Sequence, residues 1–313
     1  MTSEQDGERG GRIRLWSGMW AKPVASTTIA IVNPKGGVGK TTTVLCLAEL
    51  LAARLPMESP VVMVDLDPQA HLTALLGATD SPSIATTLQE QGAIGDRLVA
   101  AGDRGWLLPG GLDLESAAVA LARSPEGLLR LRQTLAQPWP PLESLGKLDE
   151  QKTKPFLATS PAQTQSPLVL LDCPPGLGFW TLSALAAADG LLIPVQCQPL
   201  ALRSLLALME TVASVRSQLN PNLRVVGVLP TMSERRAPWC DQVLAGLQDW
   251  ALASRGAIAL FPPIPRSACF PKLTVDGKLL RSGLARQRRS VVLQGYEAIA
   301  AVLVDRPSPT KPT

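Results

Sequence analysis

The chain has 313 residues, of which 46% are hydrophobic, enough to bury a substantial core in one large domain or two small ones. Its formal net charge of +4 is mildly basic, so charge indicates a partner only where it is clustered. A single histidine and five cysteines without CxxC spacing make a histidine triad, a zinc site or a disulfide framework a poor interpretation. No apolar run reaches the roughly 18 residues of a membrane span, and the start has no signal-peptide pattern. We therefore expect a cytoplasmic protein without an integral membrane segment.

Short aliphatic runs alternate with longer segments of helical periodicity along most of the chain. Residues 1–25 are predicted to be a tail without fixed structure, and residues 306–313 a second, proline-rich tail. The predicted strands are residues 28–32, 61–64, 168–171, 191–195 and 223–229. The predicted helices are residues 41–55, 127–135, 179–187, 200–219, 238–254 and about 290–304.

This alternation predicts the fold class. Strands that are apolar throughout, without a polar face, are typical of a sheet covered by helices on both faces. We therefore predict an α/β domain over residues 26–305, with a mostly parallel, doubly wound sheet. The proline-rich, polar stretch 137–167 breaks the alternation and is predicted to be a surface insertion. Ligands of such sheets bind at the carboxyl ends of the strands, and the motifs described next fall there.

The sequence NPKGGVGKTT at residues 33–42 follows the first strand and begins a helix, which is the setting of a phosphate-binding loop. Its glycines let backbone N–H groups approach phosphate oxygens, and the helix N-terminus adds partial positive charge. Lys40 is expected to reach the β- and γ-phosphates, and the Thr41 hydroxyl to hold Mg²⁺. The predicted nucleotide-binding residues are Gly36, Gly37, Val38, Gly39, Lys40, Thr41 and Thr42. The pattern predicts binding of ATP or GTP with Mg²⁺.

A second lysine precedes the glycines. Pro34 stands where the usual pattern has its first glycine, and Lys35 follows it. This deviant Walker A sequence, KGGVGKT, resembles the ParA/MinD family of P-loop ATPases, and its ParA (Soj-like) partitioning branch in particular. The resemblance implies that Lys35 crosses a dimer interface to the phosphates of the ATP held by the other subunit. Such a cation would offset the repulsion between two nucleotides sandwiched in one dimer, as an arginine finger does.

Two further motifs at strand ends extend the resemblance. The first is DLDPQ at residues 65–69; the resemblance implies that Asp67 positions or activates the attacking water and that Asp65 supports the metal shell and the loop. An acidic turn without a catalytic role remains an alternative for both aspartates. The second is LVLLDCPPG at residues 168–176, a Walker B strand in which Asp172 is expected to hold a Mg²⁺-bound water. The PPG at its end resembles the second switch.

Two later turns resemble the loops that lie near the adenine in this family, GVLPTM at residues 227–232 and IPR at residues 264–266. The candidate nucleotide contacts carried over on this basis are Thr231, Met232, Pro265 and Arg266. The resemblance thus spans about residues 28–304.

Positive charge is clustered between residues 266 and 289, where Asp276 is the one acid. Such a cluster favours a nucleic-acid surface, since phosphate neutralisation is additive and independent of sequence; a solvated face is the alternative. The resemblance implies that these residues bind nonspecific DNA only in the ATP dimer. The candidate DNA-binding residues are Lys272, Lys278, Arg281, Arg286, Arg288 and Arg289.

These features lead to one hypothesis and two alternatives. The hypothesis is a cytoplasmic, nucleoid-associated ATPase that dimerises around ATP and positions a plasmid, chromosome or protein body. In it, a ParB-like or cargo-adaptor partner stimulates slow hydrolysis to ADP and phosphate. One alternative is a MinD-like membrane-site selector anchored by the tail with Trp16 and Trp20, although DRP at residues 305–307 after the last helix is a poor membrane anchor. The other is a regulatory ATP-binding protein with little turnover.

Overall fold

We describe the protein from a computed structural model. The structure describes residues 27–56, 59–90, 92–101, 105–139, 167–234, 236–267 and 293–304. Both predicted tails, nearly all of the predicted insertion and all six candidate DNA-binding residues lie outside these ranges. No helix in the described ranges is long and apolar enough to cross a membrane.

The strands of the described residues form one sheet of eight. They are β1 (Thr27–Ile31), β2 (Val61–Asp65), β3 (Val99–Ala101), β4 (Gly105–Leu108), β5 (Leu168–Asp172), β6 (Gly190–Gln196), β7 (Arg224–Thr231) and β8 (Ala259–Leu260). Their spatial order is β3-β4-β2-β5-β1-β6-β7-β8. Only the β3–β4 pair at one edge is antiparallel, so the predicted fold class is confirmed.

Helices cover both faces of this sheet. They are α1 (Lys40–Ala52), α2 (His71–Leu75), α3 (Ile84–Glu90), α4 (Asp113–Leu121), α5 (Arg130–Leu135), α6 (Phe179–Ala187), α7 (Ala201–Gln218), α8 (Pro238–Ala253) and α9 (Gln294–Val304). Successive strand residues point to opposite faces, so Ala30 packs in the cluster beneath α3 to α8. Ile29 and Ile31 pack in the other cluster, beneath α1 and α9.

The sheet places the first motif at its switch point. The chain leaves β1 towards β2 on one side and later adds β6 on the other side of β1. Crossovers that diverge in this way leave a crevice at the carboxyl end of the central strand, which is where nucleotides bind in doubly wound sheets. The residues after β1 therefore lie in this crevice.

The sequence did not predict the edge of the sheet or the connections next to it. Strands β3, β4 and β8 and helices α2, α3 and α4 were not predicted. The predicted helix at 127–135 is a 3₁₀ turn, Gly127–Leu129, followed by α5. A Cβ on Gly127 would lie 1.9 Å from the Leu121 carbonyl oxygen, so the turn needs glycine for this close approach.

Candidate nucleotide-binding site

The loop after β1 is held open by two glycines and one asparagine. Gly37 and Gly39 have φ angles of +73° and +92°, which favour glycine. The buried Asn33 side chain donates from Nδ2 to the Pro194 carbonyl oxygen at 2.7 Å and accepts from the Lys35 N–H at 2.9 Å. Because these bonds tie the loop to β6, its backbone shape is set by protein contacts and is prepared for phosphate.

The two lysines of the loop have opposite environments. Lys40 is only 7% exposed, and its Nζ donates to the carbonyl oxygens of Asn33 and Lys35 at 3.1 Å each. Burial lowers the pKa of Lys40, an effect that the nearby Asp172 opposes. Lys35 is exposed, and its Nζ donates to Gln198 Oε1 at 2.5 Å, in the turn between β6 and α7. The structure therefore places Lys40 inside the loop and Lys35 on the surface beside it.

A cleft adjoins Lys35 on the side of α7. It is lined by Asn33, Lys35, Val38, Gln196, Leu200 and Ser204, among others. Leu200 has a φ of +71° and is 72% exposed, so it carries both backbone strain and an apolar side chain in solvent. The Lys35 ammonium thus lies at the rim of an open, partly apolar surface.

Asp65 fastens the segment that follows β2. It is fully buried, and its Oδ2 accepts from the Thr73 N–H at 2.9 Å and the Thr73 hydroxyl at 2.7 Å, while Oδ1 accepts from the Asp67 N–H at 3.1 Å. Burial raises the pKa of Asp65, and these hydrogen bonds act in the opposite direction. The geometry supports the loop-holding role of Asp65; a role in the metal shell stays a prediction.

Asp67 is fixed through its backbone and left half-buried. Its N–H donates to Asp65, and its Oδ1 accepts from the Gln69 N–H at 3.0 Å. The other carboxylate oxygen accepts no hydrogen bond from the described residues. A carboxylate held in this way can accept a proton or a hydrogen bond from water, which is the predicted role of Asp67.

Asp172 carries an unsatisfied buried oxygen. Strands β2 and β5 pair in register, so Asp65 and Asp172 stand side by side. Asp172 is 1% exposed, and its Oδ1 has no hydrogen-bond partner among the described residues. Burial raises the pKa of Asp172 well above its ordinary value, and Asp65 adds to this; the Thr41 hydrogen bond and the Lys40 charge oppose it. A free carboxylate oxygen beside a hydroxyl suits the hard oxygen ligation of Mg²⁺, so these residues fit the expected ion.

The neighbouring Cys173 packs in the core. It is 1% exposed, and burial strongly raises the pKa of its thiol. A thiol in this state is a poor nucleophile. The four cysteines of the described ranges are buried.

The second switch and the first of the two turns predicted to lie near the adenine, residues 227–232, contact the phosphate loop. The Gly176 N–H donates to the Pro34 carbonyl oxygen at 2.8 Å. The Thr231 hydroxyl donates to the Val38 carbonyl oxygen at 2.9 Å. The second of these turns, residues 264–266, lies beside the first. The Ser233 N–H donates to the Ile264 carbonyl oxygen at 3.0 Å, and the Arg266 N–H donates to the Ser233 carbonyl oxygen at 2.9 Å. The fold thus places Thr231 beside the phosphate loop, and the turn with Pro265 and Arg266 beside the turn with Thr231 and Met232. Contact of these four residues with the base stays a prediction.

Sequence reasoning missed three residues of this site. Thr73 links Asp65 to the turn after β4, since its hydroxyl also accepts from the Gly110 N–H at 2.8 Å. A Cβ on Gly110 would lie 2.7 Å from the Asp65 carbonyl oxygen, so only glycine fits here. The LPGG sequence at residues 108–111 is the signal that could have identified this turn. Gln198, the third, has no local signal.

Substitution of the two buried aspartates by asparagine should have opposite effects on stability. In Mg²⁺-free buffer at pH 7 we expect Asp172→Asn to raise the free energy of unfolding by about 1–3 kcal/mol, because it removes a buried charge with an unsatisfied oxygen. We expect Asp65→Asn to lower the free energy of unfolding by a similar amount. The amide N–H₂ of asparagine would point at a hydrogen-bond donor, either the Asp67 N–H or the Thr73 N–H and hydroxyl. A folded-state pKa raised above the unfolded value costs stability as pH rises, so the gain for Asp172→Asn should shrink towards acid pH. Urea unfolding at several pH values measures both; a loss for Asp172→Asn at pH 7 would contradict the assignment.

Comparison with known proteins identifies the family. The family described as the CobQ/CobB/MinD/ParA nucleotide binding domain matches residues 29–280. The chain belongs to this family. The match covers the phosphate loop, both aspartate-bearing strands and the two turns predicted to lie near the adenine. That these residues hold the nucleotide stays a prediction.

Within the CobQ/CobB/MinD/ParA family, several relatives match over most of both chains. The chromosome-partitioning ATPase Soj of Thermus thermophilus is 37% identical over 252 residues, or 80% of this chain and 86% of Soj. The chromosome partitioning protein ParA of Myxococcus xanthus is 31% identical over 290 residues, or 91% and 90% of the two chains. The crystal structure of cobyrinic acid a,c-diamide synthase from Mycobacterium smegmatis, with a bound ATP analogue and magnesium, matches with a TM-score of 0.66. It is 29% identical and covers 89% of this chain and 94% of that chain. The resemblance to ParA and Soj predicted from the motifs is confirmed.

Proposed function

We propose that this chain is a ParA-like ATPase that dimerises around ATP, binds nonspecific DNA as a dimer and positions a cargo. Hydrolysis to ADP and phosphate, stimulated by a ParB-like or other adaptor, would return it to single copies. This cycle would take place in the cytoplasm, on the nucleoid. The names of the T. thermophilus and M. xanthus relatives support the partitioning branch.

The observation that carries the proposal is the separation of the two lysines. Lys40 is buried inside the loop, where it can serve the nucleotide of its own protomer. Lys35 is exposed at the rim, bonded to Gln198, where its charge can serve a nucleotide in another copy. Lys40 alone completes a phosphate loop, so the second, outward-facing lysine is best explained by a trans contact. In the ATP-bound form, Mg²⁺ held by Thr41 and Asp172 would neutralise charge on the β- and γ-phosphates.

Sedimentation with different surfaces separates the proposed function from its alternatives. The full chain is spun with random-sequence duplex DNA or with anionic phospholipid vesicles, in the presence of ATP, ADP or no nucleotide. The proposal predicts ATP-dependent cosedimentation with DNA. Binding to vesicles but not to DNA would favour a membrane-site selector, and binding to neither would favour a regulatory ATP-binding protein.

The contact of Lys35 with Gln198 makes a second prediction. Lys35 must leave Gln198 to reach another copy, so Gln198→Ala should tighten ATP-dependent dimerisation about two- to fivefold, the value of one exposed hydrogen bond. Gln198→Glu adds a charge that holds Lys35 in place and should weaken dimerisation. Sedimentation velocity at several protein concentrations measures both. Repeating the series in a Lys35→Ala background is the control; effects that persist there would show that Gln198 acts by another route.

A further inference from the structure

Three arginines from different elements lie around the turn between α7 and β7, at the edge of the sheet opposite the phosphate loop. Arg132 on α5 donates from Nη1 to the Leu219 carbonyl oxygen at 3.3 Å. Arg216 on α7 donates from Nε to the Leu223 carbonyl oxygen at 2.8 Å. Arg224, which directly follows Leu223, is the first residue of β7 and is exposed. We call Arg132, Arg216 and Arg224 the amino-edge arginine cluster, because the parallel strands begin at this edge.

The turn that holds the cluster is rigidly fixed. The buried Asn220 side chain donates to the carbonyl oxygens of Leu185 and Ala188 at 3.0 and 2.7 Å. Main-chain bonds from Leu223 N–H to Asn220 and from Arg224 N–H to Asp189 close the turn. Since Arg132 and Arg216 are each tethered by one bond, their remaining N–H groups are presented with less loss of side-chain freedom than those of a free arginine.

The charge of the cluster is not compensated by acids. No described acid lies within ion-pair distance of its members; the one ion pair between described residues joins Arg266 and Glu234. Asp189, whose carbonyl oxygen accepts from the Arg224 N–H, also accepts at its carboxylate Oδ2 from the Thr28 N–H of β1 at 2.8 Å. Burial lowers the pKa of the half-buried Arg216, and the charge of Arg224 lowers it further. Like charges held together without a counter-ion favour an anionic ligand.

The surroundings favour nucleic acid over protein. Protein interfaces place apolar and aromatic side chains at their centre. The exposed large apolar side chains of the described residues are Leu112, Val119, Leu200, Leu206 and Leu252, and none belongs to the turn or to α5. The exposed neighbours of the cluster are the polar Ser217, Gln218 and Asn222 and the small Ala136 and Pro221, with no large apolar side chain among them. A polar, positive surface with planar donor groups suits the phosphate backbone.

We propose that the amino-edge arginine cluster binds the phosphate backbone of nonspecific duplex DNA. The inference rests on the proposed function for its ligand and adds a contact surface apart from residues 266–289. Arg224 and Thr231 stand at opposite ends of β7, about 23 Å apart by strand rise, so the cluster is remote from the nucleotide site.

Arg224 is the member of the cluster to substitute in a test of DNA binding. Arg132 and Arg216 also satisfy carbonyl oxygens beyond the end of α7, so changing them would affect stability. The Arg224 guanidinium makes no hydrogen bond within the described ranges. The control is Arg54→Ala, which removes one exposed charge from the other face of the sheet; unlike Arg224, Arg54 bonds a carbonyl oxygen, that of Glu297 at 3.4 Å.

Fluorescence anisotropy of a random-sequence duplex, titrated with the full chain in ATP and Mg²⁺ between 50 and 200 mM KCl, gives the affinity and its salt dependence. We expect Arg224→Ala to weaken binding about fivefold at 100 mM KCl and to reduce the salt slope by about one, as loss of one phosphate contact does. Arg224→Glu should weaken it further, while dimerisation by sedimentation stays at the wild-type level.

Two results would overturn the inference while leaving the proposed function intact. In one, Arg224→Ala binds DNA with the affinity and slope of the wild type; in the other, Arg54→Ala loses as much, so that net charge alone matters. A wild-type protein that dimerises with ATP but does not bind duplex DNA would overturn this inference together with the DNA step of the proposed function.

Discussion

Lys35→Ala is expected to leave ATP binding within about threefold of the wild type and to reduce dimer-dependent hydrolysis by at least tenfold. The Lys35 side chain points out of the loop, and Lys40 bonds the carbonyl oxygens of residues 33 and 35 inside it, so the variant keeps the phosphate cradle. The trans cation is what it loses, and trans cations are worth roughly 10³–10⁵ in rate in well-studied systems. Equilibrium binding of a fluorescent ATP analogue and phosphate release at increasing protein concentration measure the two effects.

The matched control for this prediction is Lys40→Ala. That variant should lose nucleotide binding itself, because it removes the buried ammonium at the centre of the loop. The two substitutions, five positions apart, should therefore cause different losses: Lys35→Ala loses dimer-dependent hydrolysis, and Lys40→Ala loses nucleotide binding. A Lys35→Ala protein whose specific activity still rises with concentration as the wild type does would contradict the trans role.

Asp67→Ala is expected to bind ATP, to lose hydrolysis by at least tenfold and to remain a dimer on DNA. The Asp67 carboxylate is half-buried and its only described bond is to the Gln69 N–H, so it is available to a water molecule. The N–H of residue 67 keeps its bond to Asp65 in the variant, so the loop should hold its shape. A general base or water-positioning group contributes about 10²–10⁴ in rate.

Retention on DNA after ATP is diluted away measures the Asp67→Ala effect, alongside phosphate release. Asp80→Ala, which removes an exposed acid from the turn after α2, is the control and should behave as the wild type. An Asp67→Ala protein that hydrolyses ATP at the wild-type rate would assign the water to another residue.

The central strands and the phosphate loop were predictable from sequence because their signals are local. Strands β1, β2, β5, β6 and β7 are buried on both faces, so each appears as an uninterrupted apolar run, and predicted bounds differ by at most two residues. The glycines and lysines of the loop act through backbone shape and charge within ten residues. These features depend little on the rest of the chain.

The missed elements depend on distant contacts. Strands β3 and β8 have three and two residues, too few for a period to be read. Helix α2 forms where Asp65 accepts two hydrogen bonds from Thr73, a pairing that the sequence of α2 alone does not indicate. Gln198 meets Lys35 across 163 positions and Thr231 meets Val38 across 193. Such contacts follow from the strand order, which sequence periodicity does not contain.

Sedimentation velocity with a hydrolysis-resistant ATP analogue and Mg²⁺ tests the role of Lys35 most directly. The account predicts that the wild type sediments as two copies and that Lys35→Ala, with the same analogue bound, sediments as one. A wild-type protein that stays a single copy when saturated, or a Lys35→Ala protein that pairs as tightly as the wild type, would contradict it.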